Sequence, residues 1–122
     1  MRNPPRLKLT FSDRARPVDA IRARYPNPTP PAAGGSYCVG GALLLYYASH
    51  LVGYRRARRL GFPPSVQIAG VLELANPQLD RRLAEHFATQ IVTRNDAYQI
   101  DAAWATLDRA LRWRGKPERA GV

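Results

Sequence analysis

The sequence predicts an all-α protein: a small bundle of four or five helices preceded by an extended, proline-rich, basic N-terminal arm. Three observations carry this. Apolar residues recur at helical spacing through the second half, as in Leu79, Leu83, Phe87 and Ile91. Segments of helix length are separated by Gly61-Phe62-Pro63-Pro64, Asn76-Pro77, Arg94-Asn95-Asp96 and Gly115-Lys116-Pro117. Seven of the 11 prolines fall within the first 31 residues, where they forbid helix. The chain of 122 residues is long enough for one core. It divides into an arm over 1–35, a helical domain over 36–113 and a basic tail over 114–122.

Within the arm, Leu7-Lys8-Leu9-Thr10-Phe11 alternates apolar and polar residues and reads as a short strand. Pro17 opens a short helix to Arg24, with Asp19 favourable near its start. Tyr25–Pro31 then runs extended and ends in Ala32-Ala33-Gly34-Gly35. So few periodic apolar positions fall in 1–35 that the domain from Ser36 onward is expected to fold without them.

Residues 36–54 form the most apolar stretch and carry no formal charge. Ser36 is read as the N-cap of a buried central helix. Its length and the arginines after it also match a membrane span, but Gly40, Gly41, His50, the serines and the tyrosines argue against one. Cys38, Gly40, Gly41 and Ala42 give a smooth face that lets a neighbouring helix backbone approach closely. Next, Pro63-Pro64 starts a mostly apolar helix that Asn76 stops. Asn76 is read as N-cap and Pro77 as first residue of the following helix, which carries the Leu79–Ile91 stripe. Asn95, in a left-handed conformation, ends that helix, and Asp96 caps the last helix or the turn before it. This last helix runs from Tyr98 or Asp101 to Trp113 with Ile100, Trp104, Leu107 and Leu111 on one face, which makes Trp104 a core residue.

The net charge is +10, from 19 Lys+Arg against nine Asp+Glu. It is concentrated in residues 1–24, in Arg55, Arg56, Arg58 and Arg59, and in the tail, whereas residues 60–111 are mildly acidic. Basic ends with one basic run suit a polyanionic partner. Arg112, Arg114 and Lys116 extend the candidate surface, and Tyr54 stands where it would stack on a base. Nothing resembles a base-reading recognition helix, so contact would be to phosphate and independent of sequence. Arginine outnumbers lysine 17 to 2, a bias that a GC-rich genome also produces.

One cysteine excludes an internal disulfide. His50 and His86 stand at no metal-ligand spacing with Cys38 or a carboxylate, and HExxH, paired CxxC, P-loop and GxSxG patterns are absent. Cys38 and His50 on one helix would lie about 18 Å apart, too far for a nucleophile and its base. No cofactor is expected. The N-terminus has charge but no apolar signal region, which points to a cytoplasmic protein.

Tyr37-Cys38-Val39-Gly40-Gly41-Ala42-Leu43, with Asn95-Asp96, Ala103-Trp104 and Leu107 later in the chain, resembles a family of small uncharacterised helical bacterial and phage-associated proteins. Arg94 departs from its pattern, which often has an aromatic there. The resemblance implies an all-helical fold and brings no activity. The expected function is a small non-catalytic binding or accessory subunit that contacts nucleic-acid phosphates or a larger acidic partner. The alternative is a protein-interaction protein whose arm docks on a partner chain.

Overall fold

The computed structural model describes residues 17–47 and 61–115. Five α-helices form the bundle among these residues: α1 (Pro17–Arg24), α2 (Val39–Tyr47), α3 (Ser65–Ala75), α4 (Arg81–Asp96) and α5 (Ile100–Leu111). The predicted strand Leu7–Phe11 lies outside the described residues, as does the stretch after Tyr47.

Helix α2 is the centre of the bundle and touches each of the other four. Val39, Gly40, Gly41, Ala42, Leu43, Leu44 and Tyr47 are all buried. A helix apolar on every side must be covered on every side, and here the cover is protein. No helix among the described residues is long and apolar enough to cross a membrane. Around α2, α4 packs against both α3 and α5. Phe87 and Ile91 of α4 and Trp104 and Leu107 of α5 are buried, as their spacing predicts.

Helix α1 belongs to this core. Val18 and Ile21 are 4% and 0% exposed, and α1 lies on α2 and α5. Burying two such side chains stabilises by about 3–6 kcal/mol, a large part of the net stability of a small domain. The Arg22–Asp101 ion pair at 3.0 Å is exposed and adds little. Over residues 17–30 the chain therefore lies on the bundle, with Pro28 and Pro30 also buried. Ser36 is not where the core begins. Helix α1, read from the sequence as part of the arm, thus contributes Val18 and Ile21 to the core, and two apolar residues are too few to show a periodicity.

Five helix ends differ from their sequence reading. Ser36 is exposed and α2 starts three residues later, capped by Cys38 and, across the fold, by Asn95. Asn95 lies inside the last turn of α4, and the left-handed residue is Tyr98 with φ 63°. Asp96 is exposed and Gln99, in the N-cap position of α5, makes no side-chain cap. Asn76 follows the end of α3 rather than starting α4, which begins at Arg81 behind Asp80. The Asp80 carboxylate accepts the Leu83 N–H at 2.7 Å, an ordinary N-cap. Finally, α5 ends at Leu111, before Trp113.

The start of α2 leaves four backbone N–H groups without partners in their own helix, and three of them have hydrogen-bond partners elsewhere. Cys38 N–H donates to the Gly61 carbonyl at 2.8 Å. Val39 N–H donates to Asn95 Oδ1 at 2.9 Å. Gly41 N–H donates to Cys38 Sγ at 3.3 Å. The two glycines have different neighbours. A Cβ on Gly41 would fall into the Gly61 carbonyl, whereas one on Gly40 would meet the Cδ1 end of Ile68. The close backbone approach is thus to the turn before α3 and not to a helix.

Gly41→Ala should lower stability by about 1–3 kcal/mol, because a backbone carbonyl must move. Gly40→Ala should cost less, because a side-chain end can turn aside. Urea unfolding of the two variants checks the order.

Candidate functional site

The predicted site residues separate into two regions and a remainder. Tyr54, Arg55, Arg56, Arg58, Arg59 and Lys116 lie outside the described residues. Cys38, Gly40, Gly41 and Asn95 meet at the start of α2. Arg112 and Arg114 stand just beyond α5. Trp104 is 2% exposed in the core, where Arg22 lies 5.4 Å above its ring.

The α2 junction is built for packing. Cys38 is 6% exposed. Burial pushes its thiol above the ordinary value of 9.0, the Asp96 charge pushes the same way, and N–H groups from Gly41 and Gly40 only partly oppose this. A nucleophilic thiol requires the reverse. Among the described residues no three His, Cys, Asp or Glu side chains are grouped to hold a metal ion.

The end of α5 is more open. Asn76, 7% exposed, directs its amide Nδ2 to the carbonyls of Ala110 and Trp113, both at 2.9 Å, and to that of Leu111 at 3.4 Å. Its Oδ1 accepts the Gln78 N–H at 3.0 Å. This one side chain closes the C-terminus of α5 and fixes the backbone that carries Trp113. The half-buried Trp113 ring meets Phe87 edge-on, with centroids 5.8 Å apart.

Trp113 and Gly115 form a wall shared by two clefts. One, of about 320 Å³, is lined by Asp108, Arg109, Arg112 and Arg114. All three arginines are exposed, and Arg112 reaches Asp108 at 3.7 Å. The other is a groove of about 740 Å³ lined by Gln78, Asp80, Arg82, Leu83 and His86. Arg82 and His86 stand four residues apart on the polar face of α4, a spacing visible in the sequence. Their meeting with Trp113 depends on how α4 and α5 pack.

No family model, no curated protein and no solved structure matches the chain.

Burial also raises the Tyr47 hydroxyl well above its ordinary value of 10.0. For both Cys38 and Tyr47 the folded state holds the proton more tightly than the unfolded chain does. Their contribution is complete below the unfolded values and is lost as pH rises through the folded ones. Urea midpoints should therefore fall as pH rises above 9.0, the ordinary Cys38 value. An aromatic disulfide reagent should modify Cys38 slowly in the native protein and at once in urea.

Proposed function

We propose that the protein is a small non-catalytic binding or accessory subunit that contacts nucleic-acid phosphates through its basic segments. The observation that carries this reading is the cleft beyond α5. Arg109, Arg112 and Arg114 surround it, and Asp108 is the one carboxylate among its lining residues. The C-terminal end of a helix favours cations by itself, which explains why arginines are tolerated there. All three are exposed, with Arg112 paired to Asp108 and Arg109 over the Phe87 ring. The chain adds further basic residues at Arg55, Arg56, Arg58 and Arg59, for a net charge of +10.

Contact of this kind releases counterions, so affinity falls as a power of salt concentration. Three phosphate contacts from the cleft give a slope of log affinity against log salt near −3 on duplex DNA, steeper if the Arg55–Arg59 run contributes. Changing Arg112 and Arg114 to glutamine should flatten the slope by about 2 and leave the helical signal unchanged. Fluorescence anisotropy at several salt concentrations checks this. Absence of binding at low salt would overturn the reading in favour of an acidic protein partner.

A further inference from the structure

We propose that the groove beside Trp113 receives an unpaired nucleobase, so that the preferred ligand is single-stranded nucleic acid. This rests on the phosphate-binding reading above and specifies its ligand. Three features of the groove support it.

First, Trp113 is held in place before any ligand arrives. Asn76 fixes its carbonyl at 2.9 Å and Phe87 abuts its ring with planes at 67°, yet the ring still lines the groove. A prepositioned aromatic ring is the element on which single-strand binders stack bases, and any base can use it because each has a π-face. Second, the groove combines polar and apolar lining beside Trp113. Gln78, Arg82 and His86 offer hydrogen-bonding groups and Leu83 an apolar wall. Asp80 also lines it, but its carboxylate already accepts the Leu83 N–H. Third, cations continue in the adjoining cleft, which Trp113 also lines. Arg109, Arg112 and Arg114 line that cleft, where the phosphates flanking a seated base would pass. Across the two clefts four arginines stand against two aspartates, and one of these, Asp108, pairs with Arg112. Gly115, at φ 87°, turns the chain between the clefts, and a Cβ there would press on Gln78 Oε1 at 3.1 Å. A duplex covers its base faces by stacking and has none to place on Trp113.

The test compares a labelled oligothymidylate with a duplex of equal length at one low salt concentration, by anisotropy and by tryptophan emission. The chain has two tryptophans, and Trp104 is buried, so quenching by a stacked base reports on Trp113. Wild-type protein should bind the single strand more tightly, with emission quenched by that ligand. Trp113→Leu should weaken single-strand binding roughly five- to a hundredfold and leave duplex binding nearly unchanged, while Trp113→Phe retains most of it. Equal affinity for both ligands without quenching would overturn the inference and leave phosphate contact standing. Binding to neither would overturn both. The quenching experiment uses the unmodified chain, so it decides the matter even where a variant fails to fold.

Discussion

A single buried amide, the side chain of Asn95, holds together three parts of the chain that are far apart in sequence. It is 0% exposed. Its Oδ1 accepts the first N–H of α2 from Val39, and its Nδ2 donates to the Thr29 carbonyl at 3.1 Å. Only a side chain with both a donor and an acceptor does this. Aspartate would lose the donor and bury a charge, and leucine would leave both backbone groups unpaired. Each such orphan costs about 1–3 kcal/mol. The placement of α2 follows from this contact. Once its N-terminus is fixed against α4, its apolar sides meet the four surrounding helices. The segment Pro26–Pro30, which runs into a 3-10 turn over Pro31–Ala33, is held beside it, where Thr29 N–H also donates to the Tyr37 carbonyl at 2.8 Å.

A second buried asparagine repeats the device at the other end of the bundle. Asn76 serves the carbonyl end of α5 as Asn95 serves the amide end of α2. The consequences differ because of what lies next to each. Asn95 adjoins glycines and a buried thiol, so its end of the molecule is closed. Asn76 holds the backbone of Trp113, so its end presents an aromatic ring between a groove and a ring of arginines. The scaffold and the proposed binding surface thus rest on the same physical element, a polar side chain satisfied by helix ends that its own helix does not contain.

The helices were legible in the sequence because burial of an apolar stripe leaves a periodic trace, as with Phe87 and Ile91 in α4 and Trp104 and Leu107 in α5. Helix ends were less legible. Local rules place Asn76 and Asn95 at chain turns, which is nearly right for position and wrong for role. Their partners stand 34 and 56 residues away, and no local pattern records such a distance. Helix α1 was legible as a helix from Pro17 and Asp19, but not as core, since its contribution is two side chains. Of the candidate surface, Arg112 and Arg114 were legible from charge. Arg82, His86 and Trp113 become neighbours only when α4 and α5 pack together.

Native-state hydrogen exchange at the Val39 amide tests the role of Asn95 most directly. A first-turn amide is ordinarily free to exchange, because its helix offers it no acceptor. If Asn95 locks the start of α2, Val39 exchanges only through global unfolding, alongside core amides such as Leu43. In Asn95→Ala it then exchanges by local opening, faster than Leu43. Exchange of Val39 in the wild-type protein as fast as that of Arg81, the exposed first residue of α4, would contradict the central place given to this one amide.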